Sequence, residues 1–123
     1  MIKTRFILIR WQSFLDSGAD EEEAIREIGN STFVFEALPL SIFLFLRYIE
    51  EPLEAFWRGV NACGMVGGDI DAIGYLLGSF VGAYGGLWVF PLELLENLEN
   101  SQYYISLAEK LYQTTMEFLE RRS

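Results

Sequence analysis

The stretch Gly67-Gly68-Asp69-Ile70-Asp71-Ala72, running into the uncharged segment Ile73 to Phe90, decides how the rest of the chain is read. Two successive glycines accept backbone angles closed to other residues, so the chain can turn and unwind there. Asp69 then stands where a helix N-cap belongs, and Asp71 falls in the first turn, where the helix macrodipole favours negative charge. Side chains two apart on a regular helix point in different directions. Asp69 and Asp71 can therefore meet on one ion only if the backbone is still unwound at Asp69. Two readings stay open on local grounds: the pair finishes a helix end, or it grips a cation. The chain has no histidine and one cysteine. A cation held by these carboxylates would be a hard one with oxygen ligands, magnesium or manganese.

The helix expected from about Asp69 to Gly85 carries Gly74, Gly78 and Gly82 at four-residue spacing, which lets another helix come close. A bilayer crossing takes about 20 apolar residues. Leu38 to Leu46 is too short for that, and Gly85-Gly86 and Pro91 cut the longer run, so both read as buried core and no membrane contact is expected. Pro91 opens a short helix and Ser101 caps a last one. That last helix bears Ile105, Ala108, Leu111, Tyr112, Thr115 and Leu119 at three- and four-residue spacing.

Upstream, Ile2 to Leu15 forms a first helix, ended by Ser17-Gly18. Its basic, apolar start is not a signal peptide, because Arg10 and Trp11 interrupt the run and no small-residue cleavage site follows. Asp20 and Glu23 have capping-box spacing and open a short helix that Gly29-Asn30 closes. Ser31 or Thr32 caps the next segment, in which Pro39 predicts a kink or break near Leu38. Leu40 to Tyr48 is apolar on nearly every side, as in a helix buried all round. Pro52 suits the first position of a helix running to about Met65. No stretch alternates as a strand does. The expected architecture is all-α, with residues 1–123 as a single domain.

Composition narrows the chemistry. With 51% hydrophobic residues the chain can fill a core and is unlike a solvated, disordered segment. The net charge of -9 repels phosphate backbones, so nucleic acid is not an expected partner. The acidic excess lies in Glu21-Glu22-Glu23, Glu50-Glu51 and the Glu93 to Glu99 stretch, which read as solvated helix faces. Cys63 has no partner for an internal disulfide and no histidine to activate it, so it reads as a small buried apolar residue in a cytoplasmic protein. Catalysis through Ser-His-Asp or Cys-His is excluded, which leaves carboxylates.

Several motifs in order resemble one family, the ADP-ribosylglycohydrolases, which include the dinitrogen-reductase-activating glycohydrolase and the ADP-ribosyl-acceptor hydrolases. The family's C-terminal signature, Gly-Gly-Asp-Thr-Asp-Thr before a helix rich in Ala and Gly and then Gly-x-x-x-Pro, is matched by Gly67 to Ala72, Ile73 to Gly86 and Pro91. Ile28-Gly29-Asn30-Ser31 resembles its Leu-Gly-Asn segment, and Phe35-Glu36-Ala37-Leu38-Pro39 to Leu46-Arg47 its Pro-containing apolar helix. The resemblance implies the C-terminal portion of an orthogonal helical bundle built around two metal ions. It implies Asp69 and Asp71 as ligands of Mg2+ or Mn2+, Asp71 bridging. Gly29, Asn30 and Ser31, with Gly67 and Gly68, would lie beside an ADP-ribosylated substrate whose glycosidic bond to a protein or related acceptor is hydrolysed. Two departures stand out. Ala72 replaces a hydroxyl ligand, and the family's N-terminal Glu and Thr-Asp-Asp run, which complete the metal cage, have no counterpart in this sequence. The resemblance thus implies either a partial enzyme completed by a complementary N-terminal subunit, or an inactive remnant serving as a binding or assembly module. A half-domain would expose core aromatics (Phe33, Phe35, Phe43, Phe45, Trp57 and Trp88) and associate with itself or with a partner.

Overall fold

Among the described residues, helix follows helix along the chain. The structure, a computed structural model, describes residues 11–66 and 68–123, with the side chains of 62–66 outside the description. Gly67, the Cys63 side chain and the Ile2 to Arg10 part of the first expected helix fall outside it. Helix α1 covers residues 11–17 and is followed by α2 (Glu21–Ile28), α3 (Val34–Arg47), α4 (Pro52–Val66), α5 (Ile70–Gly85) and a 3-10 turn (Leu87–Val89). After these come α6 (Leu92–Asn97) and α7 (Ser101–Glu120). No strand occurs among the described residues, and none of their helices is long and apolar enough to cross a membrane.

The chain divides into two units, Met1–Val89 and Phe90–Ser123. In the first, the core lies where α3, α4 and α5 meet. Leu40, Phe43 and Leu44 come from α3, Ala55 from α4, and Ile73, Leu77 and Val81 from α5; all are fully buried. Ile73, Leu77 and Val81 recur every four residues, so they form one ridge along α5. The ridge presses on α4 at Gly59, where an added Cβ would sit 2.1 Å from Leu77 Cδ1 and 3.3 Å from both Ile73 Cγ2 and Leu44 Cδ1. Gly74 and Gly78 do face α4, opposite Val60 and Phe56, but with ordinary spacing of 3.6 and 3.8 Å for a Cβ. The tightest approach therefore sits on α4 rather than along the glycine stripe of α5. From α2, Ala24 and Ile25 close one side, and Phe14 of α1 meets the Phe43 ring edge-on with centroids 6.3 Å apart.

Several expectations need correcting. Pro39 does not break its helix, since α3 runs unbroken from Val34 to Arg47. It lies early in the helix, so the missing N–H removes one bond, to the carbonyl of Phe35, while a buried ring adds to the core. Neither Ser31 nor Thr32 caps α3; Phe33 holds that position without a side-chain bond. The segment Leu40 to Tyr48 is not buried all round. Ile42, Phe45 and Leu46 are half-buried and line an open groove of about 450 Å³ with Phe80, Ala83 and Tyr84. Of the aromatics expected at the surface, Phe43 is fully buried, whereas Phe33 and Trp88 are exposed.

Glu21 also departs from a merely solvated role. Its carboxylate accepts a hydrogen bond from the Tyr48 hydroxyl and pairs with Arg58 Nη1 at 3.2 Å. Arg58 lies over the Tyr48 ring, 5.3 Å from its centroid, and bonds Glu54 Oε1 at 2.6 Å. Arg47 Nη1 donates to the Ala19 carbonyl at 2.6 Å, tying the loop before α2 to the end of α3. Partial burial, followed by the Glu21 hydrogen bond, raises the Tyr48 hydroxyl above its usual pKa of 10.0.

In the second unit, α6 packs against α7. Asn100, not Ser101, precedes α7, in the left-handed region at φ 57°. A reversal between two helices calls for positive φ there, and asparagine tolerates it better than most residues. Ser101 becomes the first helical residue. The stripe of α7 keeps its expected spacing, with Leu111, Tyr112 and Leu119 exposed.

Two outcomes follow from this packing. Gly59→Ala should destabilise the chain by about 1–2 kcal/mol, since overpacking there exceeds the gain in helix propensity. Gly78→Ala, with room for its methyl, should stabilise by about 0.5–1 kcal/mol; urea midpoints of the two variants should move in opposite directions. The raised pKa of Tyr48 means the native state holds its proton after the unfolded chain has lost it. Its contribution is whole below pH 10.0 and is lost as pH climbs through the higher native value. Tyr48→Phe should flatten that part of the alkaline stability profile.

Candidate functional site

The site is built from two helix ends that meet. Asp20 starts α2 by accepting the Glu23 N–H at 2.8 Å, the forward half of the expected capping box. The helix closes when the Gly29 N–H bonds the Ile25 carbonyl at 2.9 Å. Gly29 has φ 93°, a value side chains resist, and a Cβ there would lie 2.5 Å from the Glu36 carboxylate. The chain then passes through Asn30 and Ser31 into α3.

Glu36, in the first turn of α3, holds this turn from beneath. Its Oε2 accepts the Ser31 N–H at 3.1 Å and the Ser31 hydroxyl at 2.6 Å, while Ser31 Oγ accepts the Phe33 N–H at 3.2 Å. The Asn30 carbonyl next to this clamp accepts the Asp69 N–H at 2.8 Å. That bond joins the end of α2 to the beginning of α5. Gly68, immediately before it, has φ 129°, and a Cβ there would meet Asn30 Nδ2 at 2.2 Å and the Asn30 carbonyl oxygen at 2.6 Å. Only a bare backbone fits.

Asp69 is extended, at φ -97° and ψ 97°, and its Oδ1 accepts the Ala72 N–H at 2.8 Å. The capping geometry is thus realised at Asp69. It is compatible with metal binding, because a carboxylate has two oxygens and about four acceptor sites, and one bond uses a fraction of them. Asp71 lies within the first turn of α5 and is exposed. The backbone is extended at Asp69 and helical from Ile70, so Asp69 stands outside the regular helix that carries Asp71. Their oxygens suit magnesium or manganese. Ala72 offers its N–H to the cap and has no side-chain oxygen. Among the described residues no third Asp, Glu or Cys gathers into a metal cluster with this pair.

Of the residues singled out in the sequence, Gly29, Asn30, Ser31, Gly68 and Asp69 come together. Asp71 follows one residue into the helix, and Gly67 lies outside the described residues. Glu36 was missed as a member of the site. The signal for it was faint: a glutamate at the third position of a helix reaches back toward preceding N–H groups, as in a capping box, but here it skips the N-cap and takes Ser31.

The chain is similar in sequence to known proteins. A family model described as ADP-ribosylglycohydrolase matches residues 5–118. ADP-ribosylhydrolase ARH3 from Mus musculus is 30% identical over 102 residues, covering 78% of this chain and 28% of that protein. The Homo sapiens ARH3 is 31% identical over 97 residues, covering 74% of the chain and 27% of the relative. An uncharacterized protein of Archaeoglobus fulgidus is 30% identical over 104 residues, 85% of the chain and 32% of the relative. The chain thus spans under a third of the length of the relatives it matches. No solved structure gives a significant match. With the family model covering nearly the whole chain and the family's motifs meeting at one place in the fold, this chain belongs to the ADP-ribosylglycohydrolase family.

Proposed function

We propose that this protein takes part in metal-dependent hydrolysis of ADP-ribose from protein or related acceptors in the cytoplasm, with Asp69 and Asp71 as ligands of Mg2+ or Mn2+. The observation that supports this best is the junction of the Gly29-Asn30-Ser31 turn with Gly68-Asp69, which gathers residues that the sequence resemblance implies for the site. When bound, the ions supply stabilisation of developing charge and orientation of the ribose hydroxyls and a water. Asp69 and Asp71 would hold and orient that centre. The Asn30-Ser31 turn and the bare backbone at Gly68 would lie along the ADP-ribose.

Two octahedral ions take more oxygens than two carboxylates offer. The remainder would come from residues outside this sequence, in the same polypeptide or a complementary one, or from a second copy. Apolar surface supports such association: Phe33 and Tyr84 are 56% and 61% exposed, and the groove between α3 and α5 is lined by Ile42, Phe45 and Phe80. A second reading, an inactive remnant acting as a binding or assembly module, is favoured by the missing oxygen at Ala72.

Asp69→Asn separates capping from metal binding, because asparagine caps helices about as well as aspartate and differs by only about 0.5 kcal/mol or less. We expect this variant to melt like the parent and to lose Mn2+ binding in titration calorimetry, as Asp71→Asn does. ADP-ribose release should appear when the N-terminal half of a related hydrolase is added. A parent chain that gives no heat with Mn2+, with or without that half, leaves the remnant. Sedimentation should show self-association or a complex with the added half; a monomer that binds no apolar dye would count against the missing-half reading.

A further inference from the structure

We infer that Glu36 is a positioning residue for the Asp69 end of α5, acting through Ser31 and the Asn30 carbonyl. The inference rests on the proposed role of Asp69 as a metal ligand, but its first link stands on geometry alone. Glu36 bonds both polar groups of Ser31, the N–H at 3.1 Å and the hydroxyl at 2.6 Å. Both are charge-assisted hydrogen bonds to one oxygen, the stronger kind. Ser31 adjoins Asn30, whose carbonyl accepts the Asp69 N–H at 2.8 Å. With the Asn30 carbonyl fixed, the peptide between Gly68 and Asp69 has a fixed orientation, and so has the Cα from which the Asp69 carboxylate extends.

The packing around the clamp leaves it little freedom. On one side Gly29 lies so close to the Glu36 carboxylate that a Cβ would stand 2.5 Å away. On the other, Gly68 lies equally close to Asn30. Glu36 is half-buried at the base of the turn, with α3 anchored behind it by the buried Ala37, Pro39 and Leu40. The carboxylate is therefore mounted on the core, and the turn is mounted on the carboxylate. A rigid support of this kind is what a metal ligand needs if its oxygen is to stay where an ion requires it.

The test is site-resolved amide hydrogen exchange by NMR on the full chain, with Mn2+ affinity measured beside it. Glu36→Ala removes both bonds to Ser31. The Asp69 amide should then exchange about tenfold faster, the worth of one hydrogen bond to a charged group, while the amides of Leu44 and Leu77 keep their protection. Mn2+ affinity should fall by a similar factor. Glu36→Gln, which retains an acceptor oxygen without the charge, should restore most of both. It also serves as the test if the alanine variant fails to fold, with a smaller but still local loss of protection at Asp69. Unchanged exchange at Asp69 in both variants would overturn the inference, and so would a loss spread evenly over the core. Faster exchange at Asp69 in a chain whose parent binds no Mn2+ would sustain the positioning role and defeat the metal reading instead.

Discussion

One backbone hydrogen bond, from the Asp69 N–H to the Asn30 carbonyl, holds together what the sequence keeps far apart. Without it, α2 and α5 would each end in a loop, and the family's two motifs would be unrelated features of a helical chain. The bond is possible because neither flank carries bulk. Gly29 and Gly68 both take positive φ and both lie under a neighbour that would exclude a methyl group. The two glycines thus serve contact as much as conformation.

The helices that bring those ends together are held by a different logic. Packing of α5 on α4 relies on the ridge of Ile73, Leu77 and Val81 closing over Gly59, with the α3 residues Leu40, Phe43 and Leu44 completing the core. A polar network of Glu21, Tyr48, Arg58 and Glu54 then fastens α2 to the α3–α4 corner. Exposed ion pairs of this kind contribute little singly, and the network matters mainly for the angle at which α2 arrives. That angle sets where Gly29 and Asn30 stand.

Helix content was legible because capping residues, prolines and spacing agree along the chain. Asp20, Pro52, Asp69 and Pro91 mark starts within a residue of where the helices begin. The misses have specific causes. Pro39 was taken as a breaker because local sequence does not reveal that one lost bond near a helix start is tolerable when the ring is buried. Ser101 yielded to Asn100 because the reversal before α7 fixes a φ that a capping rule does not consider. At the site, Asp69 and the Gly29-Asn30-Ser31 turn were legible through the family motifs. Glu36 was not, since its role depends on a contact with a turn that precedes its own helix.

The clamp on Ser31 has a consequence for the chemical ageing of the chain. An asparagine followed by a small residue is prone to deamidate, by attack of the next backbone nitrogen on its own side-chain amide and closure of a five-membered imide. In Asn30-Ser31 that nitrogen donates its hydrogen to Glu36, and the Asn30 amide is packed against Gly68. Both reactants are engaged by neighbours, and ring closure would require those contacts to give way. The contacts that shape the turn also preserve its covalent integrity.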